Sequence, residues 1–173
     1  WPDNHYWYEV SRKAEDETNY SVIEGYTNNN FYTDYNVEPA KTYSYRVVAH
    51  PMSDTGPCDC LISESSGTTK PVTPQLEISS YGTHDITLRI IDTQNENVSE
   101  YNIYKNRYYT DNSPDFHSYS ISGSGDHTYH TDNNIIPACK YSYRVSAKNS
   151  AGVSSSVSNE ILLVTLPVAP QLN

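Results

Sequence analysis

The sequence predicts an all-β protein, and three observations support this fold class. Tyrosine supplies 17 of the 173 residues, and asparagine, serine and threonine are abundant, which suits pleated strands and turns. Several runs alternate between apolar and polar residues, as residues 84–90 and 141–147 do. Stretches rich in asparagine, glycine and serine separate these runs. Short alternating strands between turns predict β-sandwich domains.

One segment of the chain occurs twice. Residues 39–47 read PAKTYSYRV and residues 137–145 read PACKYSYRV, a separation of 98 residues, with Cys139 standing where the first copy has Lys41. Because 98 residues is about the length of one small domain, the repeat predicts two tandem domains.

The repeated segment resembles a known family. The pattern Val37-x-Pro39-x-x-x-Tyr43-x-Tyr45-x-Val47 is similar to the region around strand F of fibronectin type III domains, and residues 135–147 repeat it. The resemblance implies immunoglobulin-like sandwiches. It also implies that Tyr43 and Tyr141 are corner tyrosines, whose hydroxyl groups bond back to the chain near the turn between strands E and F.

The strands of the second domain follow from the alternating runs and the turns between them. We expect strand A at about 74–78, B at 85–91, C at 100–106, C′ at 116–122, E at 127–132, F at 140–148 and G at 159–166. The first domain has matching runs for C at about 5–13, C′ at 20–26, E at 31–36, F at 42–50 and G at 64–70. Strands A and B are missing from this first domain, so we expect one complete sandwich and one incomplete sandwich.

The domain boundaries follow from a repeated linker. Residues 71–76 read PVTPQL and residues 167–172 read PVAPQL, and their prolines favour an extended junction. We therefore expect a truncated domain at 1–72, a complete domain at 73–168, and a linker with the start of a following domain at 169–173. In this interpretation the chain is part of a longer tandem array.

Charge and hydropathy exclude some classes of partner. The net charge is −10, whereas nucleic acids and anionic membranes attract basic surfaces. No apolar run approaches the ~20 residues that a membrane helix needs. We therefore expect no nucleic-acid partner and no membrane insertion of this segment.

Two triplets match the acceptor pattern for N-linked glycans. Asn19-Tyr20-Ser21 lies between strands C and C′, and Asn97-Val98-Ser99 lies between strands B and C. Both loops are expected to be exposed, so Asn19 and Asn97 are candidate glycosylation sites in a chain that passes through a secretory pathway. Chance matches are the alternative, because asparagine and serine are abundant.

The three cysteines, Cys58, Cys60 and Cys139, suggest a junction between repeats. Cys58 and Cys60 lie in the F–G connection of the first domain, and Cys139 lies at the E–F turn of the second. These loops are at opposite ends of a sandwich, so no disulfide bond between them fits within one chain. Cys139 of one two-domain unit would instead meet the Cys58 and Cys60 loop of the next. Free or locally paired thiols are the alternative.

The sequence offers no recognisable catalytic or metal motif, and no cofactor is expected. His127 and His130 are three residues apart and would point to opposite faces of a strand, which argues against a shared metal ion. The motifs of common hydrolases, phosphate-binding loops and calcium loops do not occur. We therefore expect a protein that is not an enzyme.

The remaining expectation concerns function. The sequence favours a structural repeat of an extracellular or cell-surface stalk or filament, in which neighbouring repeats or copies of the chain stack end to end. The alternative is a recognition module, either in an adhesion or receptor ectodomain or beside a secreted carbohydrate-active enzyme. This alternative rests on tyrosines that are candidates for an exposed binding face for sugar or protein: Tyr104, Tyr108, Tyr109, Tyr119 and Tyr129.

Overall fold

The computed structural model describes residues 6–52, 60–109, 113–123 and 125–170. These residues form eleven β-strands and no helix. None of the described segments is therefore a helix with the length and apolar character that a membrane crossing requires. The chain divides into two compact units, Trp1–Thr69 and Lys70–Asn173, termed unit 1 and unit 2. The predicted boundary, between residues 72 and 73, lies three residues further along the chain than this division.

The strands described in unit 1 form a single antiparallel sheet. They are β1 (Tyr6–Ala14), β2 (Ser21–Thr27), β3 (Thr42–Pro51) and β4 (Leu61–Thr68), in the order β2-β1-β3-β4. β1 and β3 correspond to the predicted strands C and F, and Val10 lies opposite Val47. The predicted absence of strands A and B stays a prediction, because residues 1–5 lie outside the described part.

The predicted strand E of unit 1 is wrong. Residues 31–36 belong to no strand, although Asp34 and Asn36 form a local turn in which Asn36 N donates to Asp34 Oδ1 over 2.9 Å. The physical reason is the lack of a pairing partner. In unit 2 the equivalent segment, residues 127–132, pairs with a second strand of its own sheet. Unit 1 offers no such strand among its described residues, so residues 31–36 have no described strand with which to form interstrand hydrogen bonds.

Unit 2 has two antiparallel sheets that face each other. One contains β7 (Val98–Tyr108), β8 (Pro114–Ser122), β10 (Lys140–Asn149) and β11 (Ile161–Val164), in the order β11-β10-β7-β8. The other contains β5 (Gln75–Tyr81), β6 (Ile86–Ile91) and β9 (His127–Asp132), in the order β5-β6-β9. All seven strands overlap the predicted positions, and β11 is shorter than the predicted range of 159–166.

The core of unit 2 lies between its two sheets. Alternation places every second residue of β6 inside, so that Ile86, Leu88 and Ile90 are all fully buried. They pack against side chains from the opposite sheet, notably Tyr101, Ile103, Tyr143 and Val145. Burying a large aliphatic side chain contributes about 1.5–3 kcal/mol, so this layer supplies much of the stability of unit 2.

The same sheet face is open in unit 1. Tyr45 and Val47 occupy the positions of Tyr143 and Val145, yet both are only half-buried, whereas their counterparts have no exposed surface. A largely apolar groove of about 720 Å³ lies over this face and is also lined by the strongly exposed Phe31. The difference arises because unit 2 covers the equivalent face with β5, β6 and β9.

The first copy of the repeated linker is anchored to unit 2. The side-chain amide of Asn95 accepts a hydrogen bond from Val72 N over 2.6 Å and donates one to Val72 O over 2.9 Å. The Asn95 amide also donates to buried Asp92, which accepts a second hydrogen bond from the Tyr101 hydroxyl over 2.9 Å. Val72 is therefore held by a buried polar group that belongs to the following sandwich.

Candidate functional site: a cation, carboxylate and tyrosine cluster in each unit

The two predicted corner tyrosines have the same geometry. The Tyr43 hydroxyl accepts a hydrogen bond from Glu38 N over 2.9 Å, and the Tyr141 hydroxyl accepts one from Ile136 N over 2.9 Å. The residues are only 4% and 1% exposed, respectively. Burial raises the pKa of Tyr141, although the hydrogen bond from Ile136 opposes the shift. Each hydroxyl thus satisfies a backbone donor next to its turn.

A polar cluster lies beside the corner tyrosine of unit 1. Arg12 on β1 forms an ion pair with Asp34, with 2.7 Å between Nη1 and Oδ2, and also donates to Asn36 O over 2.7 Å. The Tyr45 hydroxyl donates to the same Asp34 oxygen over 3.1 Å. The Arg12 guanidinium also lies 5.0 Å from the centre of the Tyr43 ring.

Unit 2 repeats this cluster with lysine in place of arginine. Lys105 on β7 forms an ion pair with Asp132, with 2.7 Å between Nζ and Oδ2, and donates to Asn134 O over 2.8 Å. The Tyr143 hydroxyl donates to Asp132 Oδ2 over 2.8 Å. Lys105 also lies 5.2 Å from the centre of the Tyr141 ring. Both copies therefore join a carboxylate from one segment to a cation and a tyrosine from two neighbouring strands.

The electrostatics of the two clusters differ in degree. Burial alone would raise the pKa of Asp34, but hydrogen bonds from Asn36, Arg12 and Tyr45 outweigh it and the pKa is lowered. Burial and the Asp34 hydrogen bond raise the pKa of Tyr45 to about 12. In unit 2, burial and the Asp132 charge raise the pKa of Tyr143 further. Both tyrosines are thus neutral donors, and both carboxylates are fully engaged.

The clusters are closed networks, and this limits what they can do chemically. Each carboxylate is paired with a cation of its own unit, so no unpaired charge is left to act on a substrate. Within the described residues, no group of three or more histidine, cysteine, aspartate or glutamate side chains could hold a metal ion. The arrangement therefore fixes the E–F segment against strands C and F.

These clusters were not predicted from the sequence, although the sequence contains a signal for them. Asp34-x-Asn36 recurs as Asp132-x-Asn134, again 98 residues later, and in each copy the asparagine lies seven positions before the corner tyrosine. The cation is the part that sequence spacing hides, because Arg12 lies 22 residues before Asp34 and Lys105 lies 27 residues before Asp132.

Comparison with solved structures identifies the fold. No protein-family model and no curated protein matches the sequence. A two-domain fibronectin type III segment of chicken tenascin aligns over 95% of this chain and 87% of its own, with a TM-score of 0.65 and 12% sequence identity. The chain has the tandem fibronectin type III fold. The predicted fold class and the resemblance are thereby confirmed.

Other solved structures with this fold are also similar. The FN1–FN3 domains of chicken contactin align over 94% of this chain and 55% of theirs, with 19% identity and a TM-score of 0.46. The domain of human fibronectin type III domain containing protein 3 aligns over 60% of this chain and 94% of its own, with 22% identity and a TM-score of 0.44.

Both candidate glycosylation sites lie on exposed loops of the fibronectin type III fold. Asn19 is exposed in the connection between β1 and β2, and Asn97 is exposed directly before β7. Neither asparagine belongs to a strand, so attachment of a glycan would leave the sheets intact. Their glycosylation stays a prediction.

The cysteines differ in state. Cys60 is part of a disulfide bond and Cys139 is a free thiol, so no disulfide bond joins these two residues. Cys58 lies outside the described residues. Cys139 is half-buried at the E–F turn and packs against the core of unit 2. The junction between repeats that the sequence suggests stays a prediction.

The histidines and tyrosines of unit 2 separate into different surroundings. His127 contacts Arg89 at 3.0 Å, whereas His130 contacts the Tyr119 hydroxyl at 3.1 Å. Tyr119 is half-buried between the sheets, and Tyr129 is exposed. Two other tyrosines hydrogen-bond to serines of β10, Tyr104 to Ser146 and Tyr108 to Ser142, and Tyr109 contacts Arg107. The five tyrosines therefore do not share one environment.

Proposed function

We propose that the chain is a non-catalytic structural repeat of an extracellular or cell-surface stalk or filament. The observation that carries this proposal is that the two units repeat the same set of internal polar contacts. Both units place a cation, a carboxylate and a tyrosine at equivalent positions, and in each the corner tyrosine hydroxyl accepts from a backbone amide at 2.9 Å. Repeats that share the same internal contacts are suited to act as spacers.

The linker supports the same role. Pro71 is buried and Val72 is held by Asn95, so the connection to unit 2 is anchored by specific contacts. The related sequence at residues 167–172 is the expected connection to a neighbouring repeat. The partners in this proposal are neighbouring repeats or copies of the chain, and neither nucleic acid nor membrane insertion has a part in it.

The extracellular location rests on two features. Asn19 and Asn97 are exposed candidates for N-linked glycosylation, and Cys60 is part of a disulfide bond, which is typical of oxidising compartments. Expression through a eukaryotic secretory pathway tests the first feature. We expect a mass decrease after enzymatic removal of N-linked glycans, and a smaller decrease in the Asn19→Gln and Asn97→Gln variants.

Electron microscopy of the native material tests the spacer function. We expect strings of beads or head-to-tail fibres, together with concentration-dependent association of the purified chain in sedimentation experiments. Isolated compact particles in native material, combined with a monomeric chain at high concentration, would contradict the proposal.

A further inference from the structure

A polar groove of about 650 Å³ lies on unit 2, between the edge strands of its two sheets. Its walls come from β7, β8 and β9, and the Tyr119 hydroxyl spans the two sheets to reach His130 over 3.1 Å. A volume of this size is within the range of small-molecule sites, which is roughly 300–1,000 Å³. The proposed spacer function does not explain this groove.

The residues at the base of the groove have charged counterparts in unit 1, whereas two residues at its rim do not. The base contains Lys105 and Asp132, whose counterparts Arg12 and Asp34 form the cluster of unit 1. The rim contains Arg107, which lies opposite the corner tyrosine Tyr141, whereas Ala14 lies opposite Tyr43. Formation of the fold therefore does not require Arg107.

A second rim residue shows the same contrast. His117 lies opposite Lys105 in the strand register of unit 2, whereas Ser21 lies opposite Arg12 in unit 1. The imidazole is 60% exposed and lies 3.3 Å from Asp115 Oδ2, to which Arg107 Nη2 also donates over 2.8 Å. The rim is thus an organised set of polar groups that is not part of the contacts repeated in both units.

The charges around the groove balance. Lys105 is paired with Asp132, and Arg107 is paired with Asp115. These two cations and two carboxylates cancel, so the ion pairs of the groove leave no net charge to attract an ion. Electrostatic complementarity therefore favours an uncharged ligand.

The groups that face the groove suit a ligand with many hydroxyl groups. Donors and acceptors stand side by side at His117, Ser118, Asn133 and Asn134, and the half-buried aromatic ring of Tyr119 forms part of the wall. Sugar hydroxyls both donate and accept hydrogen bonds, and the C–H faces of sugar rings pack against aromatic rings. We infer that this groove binds a short uncharged oligosaccharide.

Titration of the full chain, labelled with ¹⁵N, tests the inference by NMR. The probes are cellotriose and N,N′,N″-triacetylchitotriose, which are uncharged, and trigalacturonate, which has a similar size but carries carboxylates. We expect saturable shifts of backbone amides at 117–119 and 130–134 with at least one uncharged trimer, and weaker binding of trigalacturonate. Shifts that do not saturate, or tighter binding of trigalacturonate, would overturn the inference.

Variants locate the binding. His117→Ala removes an exposed rim group and is expected to weaken binding about tenfold, because one hydrogen-bonding group to the ligand is lost. Tyr119→Phe keeps the ring but removes the hydroxyl, so we expect a several-fold loss. Tyr129→Ala is the matched control, because Tyr129 is 58% exposed and does not line the groove. Equal losses in all three variants, or none in the first two, would overturn the assignment to this groove.

Discussion

Lys105 and Asp132 form an ion pair across the two sheets of unit 2, with 2.7 Å between Nζ and Oδ2 and side-chain exposures of only 7% and 6%. Removing one partner of such a buried pair strongly lowers the stability of the fold, because the other partner is left as an uncompensated buried charge. The backbone oxygen of Asn134 and the Tyr143 hydroxyl complete the network around it.

The first prediction concerns this ion pair. Lys105→Met keeps most of the side-chain volume but leaves Asp132 without its cation, so we expect unit 2 to lose about 3–5 kcal/mol of unfolding free energy. Arg12→Met is the matched variant in unit 1 and should cost clearly less, because the Arg12 side chain is 22% exposed, against 7% for Lys105, so its ion pair is more strongly screened by water.

In this experiment, different spectroscopic probes report on the unfolding of the two units. Both tryptophans, Trp1 and Trp7, belong to unit 1, so tryptophan fluorescence during urea unfolding reports on that unit. Resolved methyl resonances of Ile86 and Leu88 report on the core of unit 2. An equal loss for Arg12→Met and Lys105→Met would contradict the role of burial.

The second prediction concerns the corner tyrosines. Tyr141→Phe keeps the buried ring and removes the hydroxyl that accepts from Ile136 N, so we expect a loss of about 0.5–1.5 kcal/mol. Tyr43→Phe should act similarly on unit 1, because its hydroxyl accepts from Glu38 N in the same geometry. Tyr129→Phe, at an exposed position, should be neutral in the same urea titrations. Neutral results for both corner variants would refute the structural role.

The third prediction is a pH dependence that His130 gives to unit 2. Burial lowers the pKa of His130 below 6.5, the nearby Asp132 opposes this shift, and the Lys105 charge adds to it. Between the lowered value and 6.5, the unfolded chain binds more protons than the folded chain. The free energy of unfolding should therefore fall as the pH falls from about 7 to about 5.

Urea titrations of unit 2 across this pH range test the effect, with His130→Gln as the variant. The Gln side chain can still contact the Tyr119 hydroxyl but does not titrate, so the slope with pH should decrease. A slope that His130→Gln does not alter would exclude this histidine as the source.

Sequence periodicity predicts the strands well because each alternating run creates one apolar face that must be buried. The same logic fails at residues 31–36, because a strand also needs a pairing partner and the described residues of unit 1 offer none. Tertiary packing, rather than proximity along the chain, brings Arg12 and Lys105 to their carboxylates, so the repeated clusters form only in the folded chain. The rim of the groove was equally difficult to predict from the sequence, because Arg107, Asp115 and His117 come together across two strands.

The fourth prediction tests the open face of unit 1. Val145→Ala removes two fully buried methyl groups at about 0.8 kcal/mol each, so with the resulting cavity we expect a loss of about 2 kcal/mol. The equivalent Val47→Ala should cost distinctly less, since Val47 is only half-buried. The same two unfolding probes measure both variants. Equal costs would indicate that the face of unit 1 is covered in solution.

The fifth prediction concerns a strained alanine that both copies of the repeat share. Ala40 and Ala138 have positive φ angles of 57° and 53°, a left-handed conformation that costs an L-residue roughly 1–2 kcal/mol. Ala138 is exposed, so Ala138→Gly removes strain without loss of packing and should leave stability unchanged or raise it by up to about 1 kcal/mol. Ala147→Gly, in buried β10, is the control and should lower stability by at least about 1 kcal/mol. If both variants are destabilised equally in urea unfolding of unit 2, the strain at Ala138 does not contribute to stability.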